Sequence, residues 1–110
     1  MSPSFVPDRG NIVWLEFNPQ RGHEQAGHRP ALVISPKAYN RRVGLALFCP
    51  ITSKSKGYPF EVQLDTDSIK GVVLADQIKS LDWQARRAQL VDTVSSSTMD
   101  EVRAKLLTLI

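Results

Sequence analysis

The sequence predicts a mainly β protein, a small barrel or sandwich of five to seven strands that ends in an α-helix. Short apolar segments recur at close spacing, each bounded by Gly, Pro, Asn or Ser, as is typical of strands joined by turns. The end of the chain changes to a helical pattern. The predicted strands are residues 12–17, 31–34, 45–52, 60–64, 71–75 and 85–91.

Three parts of the chain carry different local signals. Residues 60–64 (FEVQL) alternate between apolar and polar, which predicts a strand with one buried face and one wet face. Residues 36–40 begin with proline, which is tolerated at the start of a helix, so they predict a single helical turn. Residues 78–83 fit either a short helix or an irregular crossover, and the pattern does not separate the two.

The C-terminal helix has the strongest local signal. Residues 95–98 offer several N-cap side chains, and Asp100 and Glu101 carry negative charge where the helix dipole favours it. Apolar residues then recur at spacings of three and four, which predicts one buried face. That face comprises Met99, Val102, Leu106 and Leu109, widened by Leu107 and Ile110.

Length and composition limit the class of protein. A chain of 110 residues predicts a single domain over residues 1–110, with a core so thin that dimerisation is expected to bury more surface. Hydrophobic content is 42%, and no apolar run approaches the roughly 20 residues of a membrane span. Without a signal-like start, a cytoplasmic protein is expected. Cys49, the only cysteine, excludes an intramolecular disulfide and a thiolate metal cluster.

Charge is unevenly distributed along the chain. The formal net charge is only +3, but residues 1–60 hold eight Lys or Arg against three acids, whereas residues 61–110 hold six against eight. A polyanion such as nucleic acid is therefore a plausible partner of the basic half, and an acidic peptide is another.

The segment at residues 22–30 (GHEQAGHRP) is the most informative part of the basic half. It lies between two predicted strands and carries two histidines, a carboxylate, an amide and an arginine. Glycines 22 and 27 allow backbone conformations that bring a loop close to a ligand. Polar groups on such a loop often bind or catalyse, and the alternative is a surface loop whose charges only keep it solvated.

Three blocks of the sequence resemble the MazF/PemK family of toxin endoribonucleases. They are EQAGHRP at residues 24–30 with ALVIS after it, TSKSKGYPFEV at residues 52–62, and GVVLADQIKSLD at residues 71–82. The resemblance implies an SH3-like barrel with a C-terminal helix, acting as a homodimer. It also implies a sequence-specific endoribonuclease that needs no metal or other cofactor, is the toxin of a toxin–antitoxin pair, and is bound by an acidic antitoxin.

That activity would cleave single-stranded RNA, messenger RNA in particular, by attack of a ribose 2′-hydroxyl. It would leave a 2′,3′-cyclic phosphate and a 5′-hydroxyl, and so inhibit translation and growth. The reaction needs a base, a cation with directional donors and a group that hydrogen-bonds a phosphoryl oxygen. Single strands are the expected target because their bases can be splayed out and stacked on side chains.

The resemblance assigns catalytic roles to Arg29 and Thr52, with Glu24 supporting activity. Arg29 has a planar fork that matches phosphate, and Thr52 has a hydroxyl donor. Because a guanidinium gives up its proton only with difficulty, Arg29 is expected first as a clamp, and its acid or base role stays open. Glu24 and His28 are the ordinary proton-transfer candidates. The alternatives are an ion pair between Arg29 and Glu24, and a β-branched strand residue at Thr52.

Five further residues are expected to bind the RNA substrate. Three lysines would track the sugar–phosphate backbone, and their alternative is a solvated loop. Gln77 has a donor and an acceptor with which to contact a base edge. His28 either contacts substrate or packs the loop. The lysines are Lys54, Lys56 and Lys79.

Aromatic residues are assigned in two groups. Phe17, Tyr39 and Tyr58 are possible stacking platforms, although each is more often a core residue. Trp14 and Trp83 are assigned to the core.

Other classes of function fit the sequence less well. His23 and His28 are five residues apart, which matches no standard zinc spacing. A CcdB-like toxin that poisons DNA gyrase without catalysis is the main alternative, but such proteins use a tryptophan near the C-terminus and this chain ends LLTLI. An SH3-like peptide-binding module would need an aromatic groove, and aromatic content is 7%.

Overall fold

The computed structural model describes residues 5–16 and 28–110, which form seven strands and two helices. Strands predominate and the second helix ends the chain, so the predicted mainly β class with a C-terminal helix is confirmed. The elements are β1 (Asn11–Glu16), β2 (His28–Val33), α1 (Lys37–Val43), β3 (Ala46–Thr52), β4 (Glu61–Gln63), β5 (Val72–Leu74), β6 (Lys79–Leu81), β7 (Gln89–Thr93) and α2 (Ser96–Leu107).

All strand pairs of this sheet are antiparallel, in the order β4-β5-β3-β2-β1-β7, with β6 also paired to β3. The first half of β3 pairs with β6. The last two residues of β3 pair with β5, where Thr52 lies opposite Val72. Within the described residues the path stays open between β4 and β7, which is compatible with the predicted small barrel. Because β2 and β3 are antiparallel, the start of β2 and the end of β3 lie at the same end of the sheet.

Two apolar clusters cover the two faces of the central strands. One lies beneath α2, and the other includes the indole of Trp83, which is buried as predicted. Burial on both faces explains why these strands read as nearly continuous apolar runs rather than as alternating ones. The first cluster includes Ile12, Leu32, Cys49, Met99 and Val102, and the second includes Val13, Leu15, Val33 and Phe48.

Residues 78–83 form neither the predicted short helix nor an irregular crossover. Lys79–Leu81 is strand β6, and its three residues pair with Ala46–Phe48 of β3. Two of these three side chains are exposed and polar, so the segment has no apolar period of its own. Pairing with a distant strand decides its conformation, and a local pattern does not contain that information.

The last predicted strand, residues 85–91, is wrong at its start. The strand is Gln89–Thr93 because a turn occupies the preceding residues. The carboxylate of Asp82 accepts hydrogen bonds from the backbone N–H groups of Gln84 (3.0 Å) and Ala85 (2.8 Å). Aspartate side chains commonly stabilise turns in this way, and the bonds hold the chain out of the sheet here.

Both helices have recognisable ends. Ser95 accepts a hydrogen bond from the N–H of Thr98 (3.1 Å), so the predicted N-cap of α2 is confirmed. Leu107, Leu109 and Ile110 are all exposed, and the last two lie beyond the end of α2, so none of the three extends the buried face as predicted. Helix α1 is longer than the predicted single turn, and it ends at Gly44 in a left-handed conformation with φ of 81°.

Asn40 of α1 connects several parts of the chain through buried hydrogen bonds. Its side-chain oxygen accepts from the hydroxyl of Ser35 (2.6 Å), and its amide donates to the carbonyls of Pro7 (2.8 Å) and Ser35 (3.0 Å). Its backbone carbonyl accepts from the indole N–H of Trp83 (3.0 Å). Asn40 is the buried residue of α1, so these hydrogen bonds attach the helix to the core.

We expect Asn40→Ala to lower the free energy of unfolding by about 2–3 kcal/mol, because it leaves buried partners without their hydrogen bonds. Urea denaturation monitored by circular dichroism measures this change. Arg42→Ala, an exposed site on the same helix, is the matched control and should change stability by less than about 0.5 kcal/mol. Equal stability of the two variants would contradict the role given to Asn40.

Candidate functional site

His28 and Arg29 lie at the start of β2 rather than on the loop where the sequence analysis placed them. His28 pairs with Glu16 of β1, and Arg29 pairs with Leu15. The glycine and proline around them suggest a loop, but ladder pairing with β1 extends the strand to His28. The rest of that predicted loop, residues 22–27 with Glu24, lies outside the described residues.

A cleft of about 460 Å³ opens at this end of the sheet, and we call it the Arg29 cleft. It brings together three residues that the sequence analysis selected, namely His28, Arg29 and Thr52. Since Thr52 ends β3 and Arg29 is the second residue of β2, antiparallel pairing of these strands places both at one edge. The other described lining residues are Trp14, Pro30, Ile51, Ser53, Ser68, Ile69 and Lys70.

Trp14 is not a core residue, contrary to the prediction. It is half-buried, lines the Arg29 cleft, and its ring lies 5.2 Å from that of His28, centroid to centroid, with the planes tilted by 47°. The position of Trp14 in the pairing of β1 with β2 explains this contact. Trp14 faces Pro30, and His28 follows two residues further toward the end of the sheet, so the two rings meet diagonally.

Thr52 is half-buried at the end of β3, and its hydroxyl oxygen accepts a hydrogen bond from the N–H of Lys54 (3.3 Å). The backbone of Gly71 packs directly against it. A Cβ added at Gly71 would lie 2.3 Å from the carbonyl oxygen of Thr52, and Gly71 has φ of 138°. Only glycine fits both this contact and this conformation. The position of Thr52 therefore depends on the turn between β4 and β5.

A second cleft, of about 680 Å³, shares Thr52 with the first, and we call it the Gln77 cleft. Three of the predicted substrate-binding residues, Lys54, Lys56 and Gln77, line it together. Lys79 lies elsewhere, on β6 opposite Phe48, and neither cleft has it among its described lining residues. The other lining residues of the Gln77 cleft are Gly57, Tyr58, Pro59, Glu61 and Leu74.

The β3–β4 loop that carries these lysines is anchored on Glu61. The carboxylate of Glu61 accepts hydrogen bonds from the hydroxyl of Ser55 (2.6 Å) and the N–H of Lys56 (2.9 Å). The Ser55 bond, followed by that of Lys56, lowers the pKa of Glu61 below its ordinary value. The carboxylate form therefore holds the loop at neutral pH, and the anchor weakens as pH falls through this lowered pKa.

Tyr58 fixes the same loop from its other side. Its hydroxyl donates a hydrogen bond to the carboxylate of Asp76, and this bond raises the pKa of Tyr58. Its ring is 43% exposed within the Gln77 cleft, where a base could stack on it. Of the other proposed stacking platforms, Tyr39 lies on α1 against a separate cavity, and Phe17 is outside the described residues.

Cys49 is a buried thiol whose pKa is raised to about 12, by burial first and by the charge of Asp76 second. A thiol with this pKa stays protonated at neutral pH, so Cys49 is not a nucleophile. In the part of the chain that the structure describes, no three His, Cys, Asp or Glu side chains are grouped to hold a metal ion. No helix in that part is long and apolar enough to cross a membrane.

Four polar or aromatic residues of the Arg29 cleft were not predicted from the sequence to belong to a site. Trp14 was assigned to the core. Ser53 lies in the block at residues 52–62, where Thr52 and the two lysines, but not Ser53, were predicted to act on RNA. Ser68 and Lys70 fall between the second and third resembling blocks, so no motif pointed to them. The one sequence feature that could have indicated Lys70 is its position immediately before Gly71, at the start of a predicted strand.

Comparison with known protein families matches residues 8–110 to the PemK-like, MazF-like toxins of type II toxin–antitoxin systems. The chain belongs to this family. The toxin is 48% identical over 110 residues to the endoribonuclease toxin MazF of Escherichia coli (strain K12), a match that covers 100% of this chain and 99% of that protein.

Solved structures agree with this assignment of the toxin. Crystal structures of MazF and of a MazE–MazF complex, both from Deinococcus radiodurans, each superpose with a TM-score of 0.86. The first is 54% identical and the match covers 96% of this chain and 97% of that one, and the second is 48% identical with 96% of each covered. These relatives confirm the resemblance and the fold, and they give no support to the CcdB-like alternative.

Proposed function

We propose that this toxin is a sequence-specific endoribonuclease that cleaves single-stranded RNA, messenger RNA in particular, and thereby inhibits translation and growth. One observation carries the proposal: Arg29 and Thr52, 23 positions apart in the sequence, line the same cleft. The E. coli relative at 48% identity is named an endoribonuclease toxin, which supports the same activity here. The reaction needs no metal ion or other cofactor, because the ribose itself supplies the nucleophile.

In the proposed reaction a base takes the proton of a ribose 2′-hydroxyl, and the 2′-oxygen attacks the neighbouring phosphorus. The bond from phosphorus to the 5′-oxygen breaks, and that oxygen receives a proton, which leaves a 2′,3′-cyclic phosphate and a 5′-hydroxyl. Arg29 clamps the charge that grows on the phosphoryl oxygens, and Thr52 donates a hydrogen bond to one of them. Glu24 and His28 are the proposed proton-transfer groups.

RNA binding is proposed to extend over both clefts. His28 contacts the nucleotide at the cleavage position, and Gln77 contacts a base edge in the second cleft. Lys54 and Lys56 contact the RNA backbone within the second cleft, and Lys79, which lies on β6 outside both clefts, contacts it beyond them. Because Thr52 lines both clefts, a strand bound in one continues into the other.

Two protein partners complete the proposal. Since a related MazF has been solved with MazE, an acidic antitoxin is proposed to cover the cationic clefts of this toxin. A homodimer is also proposed, because the end of the chain exposes large apolar side chains that a second copy would bury. The enzyme would act in the cytoplasm, where messenger RNA is translated. The exposed side chains are Leu107 (62%), Leu109 (51%) and Ile110 (86%).

The proposal is tested by incubating the purified protein, with EDTA present, with a long structured RNA and a matched single-stranded DNA. We expect discrete RNA fragments with cyclic phosphate ends and intact DNA. Thr52→Val, which keeps the shape but removes the hydroxyl, should lower kcat by about 100-fold, whereas Thr52→Ser should keep most of it. Intact RNA after incubation with monodisperse wild-type protein would refute the activity.

A further inference from the structure

We propose that the turn between β4 and β5 is part of the RNA site, with Lys70 binding a backbone phosphate next to the one that Arg29 clamps. This inference rests on the proposed function and adds a residue outside the motifs that suggested it. Lys70 lines the Arg29 cleft together with the hydroxyl-bearing Ser68 and Ser53. These side chains are the kind that contact phosphate and sugar in nucleic-acid sites.

The turn that carries Lys70 is held closed by its own hydrogen bonds. The hydroxyl of Thr66 donates to the carbonyl of Ile69 (3.0 Å) and accepts from its N–H (3.4 Å). The carbonyl of Gly71 accepts from the N–H of Leu64 (3.0 Å), which ties the two ends of the turn together. Lys70 therefore extends from a defined backbone, which reduces the entropy lost when it binds a ligand.

The turn also lies directly against Thr52, one of the proposed catalytic residues. Gly71 touches the backbone of Thr52 and Ser53 so closely that a Cβ there would be 2.3 Å from one carbonyl oxygen and 3.1 Å from the Cα of Ser53. Lys70 is the residue immediately before this contact. Any RNA strand that reaches Thr52 through the Arg29 cleft thus passes beside the turn.

The charges around the cleft favour an anion at Lys70. Arg29 and Lys70 are the Lys and Arg side chains among its described lining residues, and no Asp or Glu is among them. The acidic residues of the turn, Asp65 and Asp67, are exposed and do not line the cleft. Two cations in one cleft can neutralise two successive phosphates, and the energy of that pairing depends on salt.

The first test measures binding of a short RNA whose cleavage-site ribose is 2′-deoxy, so that it binds without being cut. Wild-type protein, Lys70→Ala and Lys70→Arg are compared over a range of salt concentrations. We expect Lys70→Ala to weaken binding about 5- to 10-fold and to reduce the slope of log Kd against log salt by about one, and Lys70→Arg to restore both. Lys37→Ala, on α1 away from the cleft, is the matched control and should match wild type.

The second test locates the phosphate by replacing one phosphate at a time with a neutral methylphosphonate. At the position that Lys70 contacts, the replacement weakens binding to wild type but has no further effect on Lys70→Ala. In cleavage assays, Lys70→Ala should raise KM and leave kcat nearly unchanged. An unchanged salt slope, or additive losses at every phosphate, would overturn the role of Lys70. If wild-type protein cleaves no RNA, the proposed function itself fails, and the two failures are therefore distinguishable.

Discussion

Replacing Arg29 with alanine is expected to slow RNA cleavage by about 100- to 1,000-fold, which is the typical cost of losing a donor that stabilises transition-state charge. Arg29 is exposed at the start of β2, so the free energy of unfolding should change by less than about 0.5 kcal/mol. Cleavage is measured in single turnovers with enzyme in excess, so that weaker binding does not limit the rate. Chemical denaturation measures stability in parallel.

Arg29→Lys separates the charge of the guanidinium from its shape. Lysine keeps one positive charge but loses the planar fork that contacts two phosphoryl oxygens at once, so we expect partial activity between wild type and Arg29→Ala. The pH dependence of the wild-type rate should follow the groups that transfer protons rather than the clamp. Near-normal cleavage by Arg29→Ala would contradict the proposal that Arg29 stabilises the charge on the phosphoryl oxygens.

The sequence was sufficient for the parts of this molecule that local patterns determine. The apolar runs of β1 and β3 were recognisable because both their faces are buried, and Ser95 marked the start of α2 because its side chain caps the helix. Arg29 and Thr52 were selected because each lies in a block that resembles the family. Their meeting in one cleft follows from the antiparallel pairing of β2 with β3.

What the sequence did not predict depends on contacts between distant segments. Strand β6 exists because β3 offers it an edge, and its polar residues give no strand signal of their own. Trp14 has a large apolar side chain of the kind usually found in a core. The pairing of β1 with β2 instead places it near the end of the sheet, beside His28. In the sequence, Lys70 is indistinguishable from a solvated lysine in a turn. Its place beside Thr52 follows from the packing of the next residue, Gly71, against the Thr52 backbone.

Gly71→Ala is expected to have the largest effect on stability, lowering the free energy of unfolding by about 3–5 kcal/mol. Two independent costs contribute to this loss. A side chain at φ of 138° strains the backbone, and the new Cβ would lie 2.3 Å from the carbonyl oxygen of Thr52. That oxygen belongs to a strand backbone and cannot rotate away. The clash must therefore displace either the turn or Thr52.

Gly44→Ala is the matched control, since Gly44 also has a positive φ, 81°, but a Cβ there meets nothing within 4 Å. It should cost about 1 kcal/mol through strain alone and leave cleavage unchanged. Gly71→Ala, assayed at a temperature where it remains folded, should cleave RNA at least about 10-fold more slowly, because misplacing Thr52 misaligns a transition-state donor. If the two variants lose equal stability, the close contact does not constrain the turn. If Gly71→Ala also cleaves normally, the position of Thr52 does not depend on it.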